Sequence, residues 1–252
     1  MTAPAPGHQA TYGGVTPDTG KAPDRISGMF DAIAGRYDLL NHVLSGGQDL
    51  YWRWRAVRRL RLTGTEHVLD LCTGTCDVAR SIVKRRLARR VLGIDFSSEM
   101  LRVGQRKLRA EGRTGVIGLV RGDAMRLPAA SASVDAVTIA FGIRNVQEPQ
   151  VALAEIARVL KPGGRLAILE FSMPQQPLVR QAYLWYFRNV LPRLGRLVSR
   201  HGEAYAYLPA SVESFTPPDE FLAQLRNAGL VRAEAVPLTF GVVYLYVAER
   251  PR

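Results

Sequence analysis

Val68-Leu69-Asp70-Leu71-Cys72-Thr73-Gly74-Thr75-Cys76-Asp77 begins as a short apolar run, reaches an acid, passes through a turn of small residues and enters a helical pattern. That order presents backbone N–H groups to a ligand at a helix N-terminus, as α/β sheets that bind nucleotides do. Gly74 is the one glycine of the turn, and Cys76 stands where a second would be needed for Gly-x-Gly-x-x-Gly, which disfavours a dinucleotide site. Cys72 and Cys76 are too close for a useful disulfide, and His8, His42, His67 and His201 do not group with them, so no metal site is expected.

Outward from this turn, apolar runs at His67–Leu71, Arg90–Ile94, Gly115–Arg121, Ser133–Ala140, Arg165–Phe171, Val231–Pro237 and Val242–Glu249 predict seven strands. Helical patterns at 77–88, 97–111, 149–159 and 217–228 lie between them, the last with Thr216 as N-cap, Pro217 in the first turn and Gly229 just past the end. Leu160-Lys161-Pro162-Gly163-Gly164 ends one helix and turns the chain into a strand. Strands alternating with helices predict a mostly parallel sheet covered on both faces. Asp95 closes the second strand, where a carboxylate can accept both hydroxyls of a ribose, and Asp123 follows the third at the height of an adenine ring. Each acid alone reads as an N-cap or a solvated loop residue; three at consecutive strand ends, with Asp70, point to one ligand.

The chain has 252 residues and a net charge of +12. Only Lys21, Lys84, Lys107 and Lys161 among its 34 basic residues are lysines, an arginine bias that a GC-rich genome also produces, so charge alone does not name a partner. The longest apolar run, Val134 to Ile143, falls well short of the ~18 residues of a membrane-spanning helix. Its N-terminus lacks the features of a secretory signal, and the cytoplasm is the expected compartment. Residues 1–24, rich in proline and glycine, read as a disordered tail, and the folded domain is expected over 25–252. Its 25–62 part is helical: Ile26, Met29, Phe30, Ile33 and Ala34 share one face, Tyr37, Leu39, Leu40, Val43 and Leu44 form a second piece, and a basic helix spans about 51–62. Residues 174–215 form an insertion too apolar to be disordered, with Arg180, Arg188, Arg193, Arg196 and Arg200 and no acid between Pro174 and Gly202.

The acids at the strand ends resemble those of class I S-adenosyl-L-methionine-dependent methyltransferases. Met29-Phe30-Asp31-Ala32-Ile33-Ala34-Gly35-Arg36-Tyr37-Asp38-Leu39-Leu40-Asn41, Phe141-Gly142-Ile143-Arg144-Asn145-Val146, and Arg158 to Gly164 with Leu169-Glu170-Phe171-Ser172 resemble the menaquinone and ubiquinone biosynthesis C-methyltransferase family, over roughly residues 25 to 250. The resemblance implies a Rossmann-like methyltransferase fold and cofactor contacts from Thr75, Asp95, Asp123 and Ala124, beside Gly74 and Asp70 in the first loop. It implies methylation of a ring carbon of a polyprenylated quinol, and the wording around Asp95 and Asp123 favours demethylmenaquinol over the ubiquinone-pathway methoxybenzoquinol, with dual function as the alternative. Ala140 departs from relatives that carry a cofactor-contacting serine, and Asp49 departs from relatives that carry a histidine.

Methylating a ring carbon requires an electron-rich ring. Ionising a tyrosine-like quinol hydroxyl, with a pKa of ~10, costs ~4 kcal/mol at pH 7. Holding the two partners in line supplies ~7–11 kcal/mol in favourable cases. Arg144 is the candidate cation beside the phenolate, and Tyr37, Asn145 or a water can orient or relay the proton; a structural ion pair is the alternative use of Arg144. The aromatic insertion can cover the ring while its arginines meet a membrane surface, with a homodimer contact or plain core helix as the other uses. The remote rival, an RNA methyltransferase, lacks an Asn-Pro-Pro-Tyr motif and a visible RNA-binding module, so no nucleic-acid partner is expected.

Overall fold

A computed structural model describes residues 21–191, 193 and 202–252. The tail expected over 1–24 therefore lies mostly outside the described residues, but its last part is structured: helix α1 (Pro23–Ile33) opens at Pro23. A 3₁₀ turn (Ala34–Arg36) leads to α2 (Tyr37–Ser45) and α3 (Gln48–Arg59). The second amphipathic piece buries Leu40 but leaves Leu39 and Val43 exposed. With only nine residues, α2 turns one narrow face to the core.

Seven strands follow, β1 (His67–Leu71), β2 (Arg90–Asp95), β3 (Ile117–Arg121), β4 (Val134–Ala140), β5 (Leu160–Phe171), β6 (Val231–Leu238) and β7 (Val243–Glu249). They form one sheet in the order β3-β2-β1-β4-β5-β7-β6. All neighbours up to β5 are parallel, and β7 runs antiparallel between β5 and β6. The crossovers are α4 (Asp77–Lys84), α5 (Ser98–Ala110) and α6 (Pro149–Val159), and α9 (Pro218–Asn227) precedes the last hairpin. Between them the insertion carries α7 (Pro177–Trp185), a π turn over Tyr186–Val190 and α8 (Gly202–Glu213).

Two expectations shift. The stretch from Leu160 to Gly164 belongs to β5 as an irregularity, since Val134 pairs with Leu160 but Ala136 with Arg165. Gly163 takes φ +75° there, a left-handed geometry that glycine adopts without strain. Thr216 does not cap the next helix; Pro217 holds that place with no side-chain bond, and Asp219 and Glu220 answer the N-terminal dipole of α9 instead.

The sheet is buried on both faces, which is why its inner strands read as unbroken apolar runs. One face packs against α6 and α9 through Leu153, Ile156, Phe221 and Leu225, the other against α3 and α4 through Trp52, Val57 and Ile82. A third cluster, with Ile33, Leu40, Met100, Tyr183, Phe187 and Leu191, joins the N-terminal helices and the insertion to α5. The order reverses between β1 and β4, and ligands of such sheets bind where that reversal opens a crevice at the strand C-termini.

Candidate functional site

Two cavities open in this region. The first, of about 840 Å³, is lined by Gly74, Asp95, Asp123, Ala124 and Asn145 among others. The second, of about 950 Å³, is lined mainly by aromatic and aliphatic side chains together with Asp49, Arg53 and Arg144. Phe30, Tyr37 and Phe141 line both, so the two spaces share one wall.

The loop after β1 is shaped by positive backbone angles at Cys72, Gly74 and Cys76 (φ +54°, +54° and +72°). Asp95 fixes it from the end of β2: one oxygen accepts the Gly74 N–H at 2.8 Å and the other the Ser97 N–H at 2.9 Å. Each oxygen retains a lone pair for a ligand hydroxyl. Burial pushes the Asp95 carboxyl above its ordinary pKa, although three backbone N–H groups pull it back. Asp123 accepts the Met125 N–H at 2.8 Å. Lys21, in the stretch read as tail, also lines this cavity, and burial lowers its pKa.

Asp70 and Thr75, expected to touch the ligand, do not line either large cavity. Both line a smaller one of about 330 Å³ together with Arg53 and Gly74. Asp70 is buried and accepts from Thr73 Oγ1 at 2.6 Å and the Ala79 N–H at 3.2 Å, tying the loop to the start of α4. Burial raises its pKa from 3.8 to about 7. The folded state thus holds a proton that the unfolded chain releases near pH 4, so stability falls as pH rises from about 4 to 7 and is level above. Melting of Asp70→Asn across that range is expected to lack this slope.

Thr75 donates its hydroxyl to Asp38 of α2. That bond belongs to a network no sequence pattern announced, in which Lys107 bridges Asp38 and Asp77, and Arg53 Nη1 bonds Asp77 at 2.9 Å with Asp49 at 3.3 Å. Arg53 Nε is buried without a hydrogen-bond partner among the described residues.

Arg144 sits in the wall of the second cavity, but its charge is already answered. Nη1 bonds Glu170 Oε1 at 2.7 Å and the Phe141 carbonyl at 2.8 Å, Nε bonds Ser211 Oγ at 3.3 Å, and the Arg144 N–H bonds Glu170 Oε2 at 3.1 Å. The ion pair weighed as its alternative use is therefore present, and it leaves Nη2 without a bond to a described protein atom. Asn145 faces the first cavity and accepts from Tyr207 at 3.0 Å. Tyr37 stands in the shared wall, its pKa raised by burial and pulled back by Asn41 and the charges of Arg53 and Arg144.

Cys76 fills the notch opposite Gly104 of α5. A Cβ on Gly104 would lie 2.3 Å from Cys76 Sγ, so Gly104→Ala is expected to cost ~1–3 kcal/mol in denaturant unfolding. Adding Cys76→Gly, which suits the φ of +72° there, is expected to restore it.

A model of the ubiE/COQ5 methyltransferase family matches residues 19–250. The ubiquinone/menaquinone biosynthesis C-methyltransferase UbiE of Syntrophotalea carbinolica is 51% identical over 219 residues, covering 86% of this chain and 91% of the relative. The demethylmenaquinone methyltransferase of Thermus thermophilus is 46% identical over 224 residues, 88% of this chain and 100% of the relative. Among solved structures, the [4+2]-cyclase SpnF superposes with a TM-score of 0.65 at 19% identity, over 91% of this chain and 96% of its own. The Haemonchus contortus phosphoethanolamine N-methyltransferase 2 in complex with S-adenosyl-L-methionine superposes with a TM-score of 0.60 at 14% identity, over 79% of this chain and 52% of its own. A cyclase and an N-methyltransferase on one fold show that the fold does not choose the reaction.

Proposed function

The chain belongs to the ubiE/COQ5 methyltransferase family, and from that premise we propose that it methylates a ring carbon of a polyprenylated quinol, demethylmenaquinol becoming menaquinol. The enzyme is an S-adenosyl-L-methionine-dependent methyltransferase of quinone biosynthesis. The observation that carries the substrate reading is the shared wall: an acid-lined cavity abuts an aromatic one across Phe30, Tyr37 and Phe141.

The residues present fit the cofactor. Asp95 would take the ribose hydroxyls, Asp123 and Ala124 the adenine, and the orphaned Arg53 Nε, beside Gly74 in the small cavity, an acceptor such as the cofactor's carboxylate. When bound, the cofactor supplies an electrophilic methyl group on a sulfonium. Arg144 Nη2, without a bond to a described protein atom, would donate to a quinol oxygen and steady its ionised form, although Glu170 offsets part of the field. Tyr37 orients the ring from the shared wall, and Asn145 supports it from the cofactor side.

The described part of the 174–215 segment would cover the substrate, with Tyr183, Phe187, Leu191 and Tyr207 in the wall of the second cavity excluding water. No helix among the described residues is long and apolar enough to cross a membrane. A prenylated substrate still lies in lipid, and exposed Leu178 and Trp185 of α7, with Arg180 and Arg188 nearby, suit peripheral contact at the cytoplasmic membrane face.

The test supplies purified protein and methyl-labelled cofactor with reduced demethylmenaquinone in anionic or neutral vesicles, with the methoxybenzoquinol precursor, and with bulk RNA. Label in demethylmenaquinol, faster on anionic vesicles, is the expected result. Label in both quinols makes the enzyme dual-function, and label in RNA alone overturns the reading.

A further inference from the structure

Replacing a ring hydrogen by methyl releases one proton for every turnover, inside a cavity whose walls are mostly apolar. Among the described residues that line the second cavity, the titratable groups are Tyr37, Tyr183, Tyr186, Tyr207, Arg53, Arg144 and Asp49. Burial raises all four tyrosines, which makes their hydroxyls reluctant to ionise, and neither guanidinium accepts a proton. Asp49 is the one carboxylate among the described residues of that wall, 2% exposed. Its oxygens meet His42 Nδ1 at 2.9 and 2.8 Å, the Ser45 hydroxyl at 3.0 Å and Arg53 Nη1 at 3.3 Å. His42 is outside the cavity lining, and its side chain is 39% exposed. A cavity carboxylate is thus hydrogen-bonded to an imidazole that is itself part-exposed to solvent.

We propose that Asp49 is the acceptor of the quinol's proton and that His42 carries it to solvent, an assignment that rests on the quinol reading above. The hydroxyl proton moves to a carboxylate oxygen of Asp49, and the freed electron pair passes through the ring to make the new carbon–carbon bond. The methyl–sulfur bond that breaks leaves its pair on sulfur as a neutral thioether. The ring regains aromaticity by losing its hydrogen as a proton and gaining one on oxygen, which leaves one proton on Asp49. At rest the His42 Nδ1–H donates to the ionised carboxylate. After proton transfer the imidazole exchanges through water to its Nε2–H tautomer, accepts the Asp49 proton at Nδ1 and releases the Nε2 proton to water, which restores the resting tautomer. Arg53 and Ser45 keep the carboxylate turned toward both partners, and Arg53 is itself held by Asp77.

The experiment compares wild type, Asp49→Asn and His42→Ala on reduced demethylmenaquinone, with S-adenosylhomocysteine binding by calorimetry as the readout that does not depend on turnover. Asp49→Asn is expected to lose about 100-fold in kcat, as removal of a general base does, with KM and S-adenosylhomocysteine affinity within about threefold. His42→Ala is expected to lose about tenfold or more, with imidazole in the buffer restoring turnover in proportion to its concentration. Asp49→Asn keeping more than a tenth of wild-type kcat overturns the proposal, as does His42→Ala that imidazole does not rescue. Should Asp49→Asn fail to bind S-adenosylhomocysteine, the His42→Ala rescue alone decides. Wild type that binds S-adenosylhomocysteine but does not methylate the quinol overturns the substrate reading and, with it, this assignment.

Discussion

Arg144→Leu is expected to melt well below the parent and to transfer no methyl group. The substitution strands Glu170, which is fully buried and otherwise bonds the Phe171 and Arg144 N–H groups. Removing one partner of a buried ion pair typically costs ~3–5 kcal/mol, because the remaining charge keeps its desolvation penalty and loses its compensation. For a domain of this size that lowers Tm by about 6–20 °C. The double variant Arg144→Leu/Glu170→Leu is expected to melt above the single, since it removes the stranded charge, yet to stay inactive, since the donor proposed for the quinol oxygen is gone. Calorimetric melting and turnover of the three chains check this. A double variant no more stable than Arg144→Leu would mean that the pair is not the source of the loss, and an active one would remove Arg144 from the chemistry.

Asp95→Ala is expected to weaken S-adenosylhomocysteine binding by about 100-fold or more. Hydrogen bonds to a charged group contribute ~1.5–3 kcal/mol each, and the two expected from ribose hydroxyls already reach ~3 kcal/mol, or about two decades. The loss is compounded because Asp95 holds the Gly74 N–H, so the loop that meets the ligand loosens with it. Wild-type binding carries a matching pH signature. Burial raises the Asp95 pKa, and only the ionised carboxylate offers acceptors on both oxygens, so affinity is expected to rise with pH through that titration and then level off. Isothermal titration across pH checks the slope, which Asp95→Ala should abolish. Unchanged affinity in Asp95→Ala would place the ribose elsewhere.

Much of the architecture follows from local pattern. Alternating apolar runs and helical stretches bury both faces of a parallel sheet in only a few ways, and chain order then puts Gly74, Asp95 and Asp123 at neighbouring strand ends. The same logic reaches Ala124 and places Arg144 and Asn145 at the end of β4. It also separates Asp95, whose side chain meets the first cavity, from Asp70 only imperfectly, because both are acids at strand ends. Register pairs Asp70 with Gly93, so Asp95 lies on the same face but two positions further toward the strand C-termini. Two positions deeper, Asp70 meets Thr73 and the Ala79 N–H and lines only the small cavity, whereas Asp95 reaches the first.

What the sequence by itself determined is the alternation of strands and helices, the acids at their ends and the membership that the Phe141 to Val146 block announces, because these depend on spacing within one element or on a motif. Only the tertiary structure decided how charge is partnered. Glu170 meets Arg144 across 26 positions, Asp38 takes the hydroxyl of Thr75 across 37, and His42 backs Asp49 across the Gly46-Gly47 turn. A side chain's protonation and usefulness are set by what desolvates it and what stands within about 4 Å, and those neighbours arrive from other elements when the core packs. Asp49 thus reads in sequence as a departure from a family pattern, and in the fold as the single carboxylate among the described residues lining the second cavity.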